Sequence, residues 1–168
     1  GIKVADATVE YECAEWEGNY MHKAYVTGLE AGTLYTYTIK AGDDSVNGVF
    51  TTDNGDDIVN FIVGGDVQAS NIEDFTVGQK VIEKAYEVFP AAEFYVTLGD
   101  YTNDSTNEEW DLYAQAFDGV NTLTTHVPVT GNHDSNKGWF NNMFALDTTE
   151  SVQTDNGVNY SFDYGNVH

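Results

Sequence analysis

Ile58-Val59-Asn60-Phe61-Ile62-Val63, followed at once by Gly64-Gly65-Asp66-Val67-Gln68, is an apolar, β-branched run that stops at glycine and an acid. The first six residues read as a buried strand, and the glycine before Asp66 lets the backbone turn sharply as the strand ends. The pattern recurs twice. Glu93-Phe94-Tyr95-Val96-Thr97-Leu98 leads into Gly99-Asp100-Tyr101-Thr102-Asn103, and His126-Val127-Pro128-Val129-Thr130 leads into Gly131-Asn132-His133-Asp134. Between these strands lie two helical patterns. Ser70-Asn71-Ile72-Glu73 has the form of a capping box opening a helix through about Phe89, with Ile72, Phe75, Ile82, Ala85 and Phe89 on one face and Pro90 as its stop. Thr106-Asn107-Glu108-Glu109 is a second capping box, and the helix behind it turns Trp110, Tyr113, Ala116 and Phe117 inward. Strand, helix, strand, helix, strand implies right-handed crossovers and a parallel or mostly parallel sheet. Since 34 positions separate Asp66 from Asp100 and 32 separate Asp100 from Asn132, each about one βαβ unit, all three reach the carboxyl edge of that sheet.

Upstream the period changes. Over residues 7–52 apolar and β-branched residues alternate with polar ones, as in Ala24-Tyr25-Val26-Thr27 and Leu34-Tyr35-Thr36-Tyr37-Thr38-Ile39, which suits antiparallel strands. Turn signals fall at Gly28, Ala31-Gly32, Gly42-Asp43-Asp44 and Asn47-Gly48, the last a hairpin signal before Val49-Phe50-Thr51-Thr52. The polar stretch Thr52-Asp53-Asn54-Gly55-Asp56-Asp57 divides a β-rich segment, residues 1–54, from an α/β segment, residues 55–168.

Composition narrows the function classes. The 168 residues are 41% apolar, as in a globular protein, and six basic against 28 acidic residues give a net charge of −22. That field repels phosphate backbones and anionic lipid surfaces, so nucleic acid is not expected as a partner, and it gathers cations; membrane insertion is not expected because no apolar stretch is long enough to cross a bilayer. A large negative charge also keeps a secreted or surface protein soluble, which is the simpler reading. Cys13 stands alone, excluding an internal disulfide and a structural zinc site.

Asp66, Asp100, the Asn132 amide and the Gln68 amide, brought to one edge, would repel or stay unsatisfied without cations between them. Two metals about 3.5–4 Å apart, bridged by one carboxylate, could activate water and neutralise a phosphate's oxygens. Taken singly, an aspartate or asparagine after a strand is explained by turn and helix capping. Three such coincidences at matched spacing are better explained by one site. Asn103 and Asp104 read as turn and capping residues, and Trp16, Tyr95, Trp110 and Tyr164 as packing aromatics. Trp139 and Phe140, close after His133, could wall a pocket.

In that order and at those spacings, Asp66-x-Gln68, Gly99-Asp100 and Gly131-Asn132-His133-Asp134 resemble the first three motifs of calcineurin-like metallophosphoesterases. Leu29-Glu30-Ala31-Gly32-Thr33-Leu34-Tyr35 resembles the turn and tyrosine corner of fibronectin type III domains, with Tyr35 as the pinning tyrosine and Ala31 where those domains have proline. Another small antiparallel sheet with a surface tyrosine is the alternative. Together with Tyr160-Ser161-Phe162-Asp163-Tyr164-Gly165-Asn166-Val167-His168, read as a strand, the motifs look most like the purple-acid-phosphatase branch. The resemblance implies a partial αββα sandwich behind a partial fibronectin type III-like segment. It implies two divalent or trivalent ions (Fe, Mn or Zn) and a small phosphate-ester substrate. Asp66 and Gln68 would bind the first metal, Asp100 would bridge, and Asn132 would bind the second. His133 would act as general acid or transition-state donor, oriented by Asp134.

Several positions depart from that branch. Asn103 stands where its metal-binding tyrosine falls, three residues after the bridging aspartate, and Tyr101 is out of register. Gln68, where many relatives have histidine, makes the first site richer in oxygen. The family's three later histidines have no counterpart after His133, since His168 reads as structural; His22 reads as a surface and His126 as a packing histidine. The expectation is therefore a fragment truncated at both ends, inactive by itself, prone to self-association through unfinished sheet edges, from an extracellular or cell-surface phosphoesterase. The alternative is a non-catalytic binding or adhesion module on a degenerate phosphoesterase scaffold.

Overall fold

A computed structural model describes residues 8–134, 138–146, 153–154 and 157–168. The chain mixes α and β structure in small sheets and opens with two antiparallel hairpins. Strand β1 (Thr8–Trp16) pairs with β2 (Asn19–Thr27) around Glu17-Gly18, both at positive φ (49° and 81°), the two-residue turn whose twist suits paired strands. Strand β3 (Leu34–Ala41) pairs with β4 (Asp44–Thr51) around Gly42-Asp43. The two hairpins form separate two-stranded sheets.

The hairpin turn expected at Asn47-Gly48 is not there: both residues lie inside β4. A Cβ on Gly48 would fall 2.1 Å from Tyr37 Cζ and 2.5 Å from the Thr122 carbonyl oxygen. Glycine is needed because the Tyr37 ring crosses the strand at that point. Tyr35 turns its hydroxyl back five residues, accepting from the Glu30 amide at 2.9 Å.

Strand β5 (Phe61–Gly64), helix α1 (Ile72–Val88), strand β6 (Phe94–Thr97), helix α2 (Asn107–Asn121) and strand β7 (Thr125–Pro128) follow, and the sheet order β5-β6-β7 is parallel throughout. The Thr106–Glu109 capping box is complete. The first helix is capped differently from expectation: Asn71, not Ser70, is extended and accepts from the Asp74 amide, so the reciprocal partner expected at Glu73 is not used. The buried face of α1 holds Phe75, Gln79 and Ile82, while Phe89, its C-cap, is exposed. Strand β5, expected to be buried from Ile58 on, starts only at Phe61, and Ile58, Phe61 and Val63 are all exposed.

Helix α2 supplies the centre of the core: Trp110, Tyr113, Phe117 and Val120 pack with Phe75, Tyr95 and Tyr101. Short helix α3 (Trp139–Met143) adds Trp139 and Phe140, both 2% exposed, so these two are core and do not wall a pocket. Strands β8 (Gln153–Thr154) and β9 (Gly157–Val158) form a last small pair. Residues 160–168, expected as a strand, hold only an isolated bridge, Tyr164 to Val167. They lay aromatic rings on the sheet instead, with Tyr164 5.0 Å and Phe162 6.3 Å from Phe94 between ring centres.

Both hairpins dock on this core. Trp16 and Met21 pack against it, with Trp16 3.0 Å from where a Cβ on Gly138 would stand, and Lys23 Nζ donates to the Asn141 carbonyl. On the other hairpin the Val49 amide donates to the Thr122 carbonyl, at the end of α2, at 2.9 Å. Among the described residues, no helix is long and apolar enough to cross a membrane.

Candidate functional site

The loops leaving β5, β6 and β7 run side by side at the carboxyl edge of the sheet, stitched together by backbone bonds. Asp66 N donates to Gly99 O (3.2 Å), Gln68 N to Asp100 O (2.7 Å), Ala69 N to Tyr101 O (3.3 Å) and Asn103 N back to Ala69 O (3.2 Å). The third loop joins through the His133 amide, which donates to Asp100 Oδ1 at 3.0 Å. Approach is close enough to dictate composition: a Cβ on Gly131 would lie 2.0 Å from Asp100 Oδ1.

Asp66, Gln68 and Asp100 all take positive φ (55°, 41° and 51°), a left-handed conformation that costs a non-glycine residue about 1–2 kcal/mol. Three strained residues in adjacent loops persist only where the surroundings over-determine them, which is common at functional sites. Asp66, Gln68 and Asn132 are exposed, and Asp100 and His133 are half-buried.

Asp134 is fully buried, and its carboxylate is saturated by the backbone. Oδ1 accepts from the Tyr101 amide (2.9 Å), the Thr102 amide (3.2 Å) and the Thr102 hydroxyl (3.3 Å), while Oδ2 accepts from the Gly131 and Tyr101 amides, each at 3.1 Å. These bonds tie the β6 loop to the β7 loop and do not reach the imidazole of His133. That ring instead places Nδ1 2.5 Å from the main-chain oxygen of Asn103, with Gln68 Nε2 3.1 Å from its Nε2. The Asn103 carbonyl raises the pKa of His133 above its ordinary value, with Asp100, Asp134 and Asp104 adding to it against desolvation.

Asn103 does more than the sequence reading assigned it. Read as a turn residue, it also holds Gln68 Nε2 through Oδ1 at 3.4 Å and donates through Nδ2 to Asp104 at 3.0 Å. Glu109 reaches past its own cap, accepting from the Asp104 and Thr106 amides at 3.0 Å each.

The other histidines lie elsewhere. His126 stacks on Tyr95 with ring centres 4.2 Å apart, and its Nε2 is 2.8 Å from Thr97 Oγ1 and 3.0 Å from the Tyr101 hydroxyl. Burial pushes its pKa down to about 3. His22 lies exposed against Tyr11. His168, expected in a core strand, is exposed instead and pairs with Asp163 at 2.7 Å.

Among the described residues no three His, Cys, Asp or Glu side chains gather as a metal-binding group. The donors at this edge are two carboxylates and the amides of Gln68, Asn103 and Asn132, an oxygen-rich set whose hardness fits divalent cations such as manganese or magnesium better than thiophilic ones. Beside Asp66 an apolar cleft of about 400 Å³ opens between β5 and α1, lined by Val67, Val77, Val81 and Ile82. No protein-family model matches this chain, and no curated protein matches it.

Proposed function

We propose that this chain carries the first part of a metal-dependent phosphoesterase site, of the calcineurin-like kind, and that the protein hydrolyses small phosphate esters. The observation that supports the reading is the interlocking of three post-strand loops, one from each parallel strand, around Asp100, with the Gln68 amide on its main chain and the His133 amide on its side chain. Asp66, Gln68, Asp100 and Asn132 would hold two ions, Fe, Mn or Zn, with Asp100 between them. Such ions, when bound, supply Lewis acidity and charge neutralisation for an anionic ester. The chain's own contribution is to aim oxygen donors outward from strained, clamped loops and to present the His133 imidazole beside them. Tyr35, bonded back to Glu30, supports a fibronectin type III-like hairpin segment in front of the catalytic fold, and the −22 charge suits an extracellular or cell-surface setting.

Calorimetric titration of this chain with manganese should detect binding that Asp100→Asn weakens by about tenfold or more. The whole protein, loaded with manganese, iron or zinc, should hydrolyse an aryl phosphate and lose that activity with the same substitution. Absence of both metal binding and hydrolysis would sink the proposal and leave a non-catalytic scaffold as the better description.

A further inference from the structure

Strand β5 ends its sheet, and among the described residues no strand pairs with it on the side away from β6. Its backbone groups divide by parity. Asn60 O accepts from Glu93 N (2.8 Å), Gly64 O accepts from Leu98 N (2.7 Å) and Asp66 N donates to Gly99 O (3.2 Å), so the even-numbered residues face β6. Alternation along a parallel ladder turns the N–H and C=O of Phe61 and Val63 toward the open side. Protected edges carry a charge, a proline or a bulge, and Phe61-Ile62-Val63-Gly64 has none of these. Apolar surface flanks the edge on both faces of the sheet. On one face, the cleft of about 400 Å³ between β5 and α1 is walled by Val67, Val77, Val81 and Ile82, with Val77 62% and Val81 61% exposed. On the other, Phe61 stacks on Phe94 and, with Val63, stays exposed. The carboxylates of Asp66 and Asp74 line the cleft where β5 ends and α1 begins.

We infer that the open edge of β5 is an acceptor for one further β-strand, supplied by a partner polypeptide, apolar where it enters the cleft and basic at the end beside Asp66 and Asp74. An added strand pairs with the N–H and C=O of Phe61 and Val63, while its alternate side chains fill the cleft on one face and cover Phe61 and Val63 on the other. One residue period meets both needs, which neither a helix nor a small molecule does. The two carboxylates at one end of the cleft set the charge of the strand that fits. A second copy is disfavoured, because it brings a net charge of −22 against the same acids. Asp74 is not one of the proposed metal ligands, so strand capture does not depend on the phosphoesterase reading.

Short synthetic peptides alternating isoleucine with threonine, with lysine at one terminus or the other, let pairing in either direction bring the lysine to Asp74; glutamate-ended counterparts serve as controls. Added to the full 168-residue chain, a lysine-ended peptide should slow hydrogen exchange by about tenfold or more at the Phe61 and Val63 amides. The Ile62 amide, which faces β6, should not change. Val63→Pro removes one outward N–H without touching the ladder to β6 and should weaken the peptide by about tenfold. Val81→Glu, at an exposed helix position, puts a charge in the cleft and should weaken it too, which keeps the test open if the proline disturbs the strand. Glutamate-ended peptides should bind several-fold more weakly, and Asp74→Asn should narrow that gap. Unchanged exchange at Phe61 and Val63, or equal binding of lysine-ended and glutamate-ended peptides, overturns the inference. So does a chain that dimerises alone in sedimentation with those two amides protected, since the occupant is then a second copy.

Discussion

The hairpin half and the α/β half of this chain are held together in different ways. Among described residues 9–52 only Gly48 is buried, whereas helix α2 alone buries Trp110, Tyr113, Phe117 and Val120. The hairpins keep their shape through ladder bonds and two-residue turns, and keep their place through a few attachments: Trp16 and Met21 against the core, and Val49 at the end of α2. The stability of the α/β half comes from burial, and the loops that bring Asp66, Asp100 and His133 side by side sit on that half. Damage should therefore be unequal between the two.

The largest effect is expected at the centre of the core. Trp110→Ala removes a side chain with no exposed surface and should cost about 3–5 kcal/mol in denaturant unfolding. A cost below about 1 kcal/mol would mean that the core is centred elsewhere. Acid should act on the same half through His126. Its folded pKa of about 3 lies below the unfolded value, so between the two the unfolded chain binds the extra proton and stability falls as pH falls. Lowering the pH from about 6.5 to about 5 should remove about 2 kcal/mol. His126→Gln should flatten that part of the stability profile; an unchanged slope would show that other groups set it.

On the hairpin side, Trp16→Ala removes a half-buried ring and should cost about 1–2 kcal/mol, less than a full core deletion. Hydrogen exchange should show faster opening of β2 amides with α2 amides still protected, and equal loss in both would merge the two halves into one unit. Tyr35→Phe should have the smallest effect, about 0.5–1 kcal/mol, because the Glu30 amide it abandons is near the surface and finds water. Thermal unfolding of the two proteins side by side measures it.

The elements of the α/β half were readable because their signals are local. Pro90 after the first helix, the Thr106–Glu109 box before the second and the spacing of Phe75 and Ile82 or Trp110, Tyr113 and Phe117 each act within one or two turns. The misreadings share a different cause. Asn47-Gly48 has the chemistry of a turn, but Gly48 answers to Tyr37 across the ladder and to Thr122, 74 positions later. Tyr160, Phe162 and Tyr164 alternate like a strand, yet the alternation serves to lay rings on Phe94 and to bring the Tyr160 hydroxyl 2.6 Å from the Pro128 carbonyl. Ser70 and Asn71 are equally good caps by type, and which of them is extended depends on how the β5 loop enters the helix.

The candidate site divides along the same line. Strand-to-strand spacing near one βαβ unit is enough to bring Asp66, Asp100 and Asn132 to the same edge, since parallel strands joined by helices must all end there. Spacing says nothing of which atoms then face each other. That Asp134 binds the backbone amides of Tyr101, Thr102 and Gly131, and that His133 rests on the Asn103 carbonyl, depends on three loops crossing within hydrogen-bonding distance. Periodicity and capping fall off within a few residues and so belong to the sequence. Contacts between residues some thirty positions apart appear only when the sheet twists and the loops close over one another, and so belong to the tertiary structure.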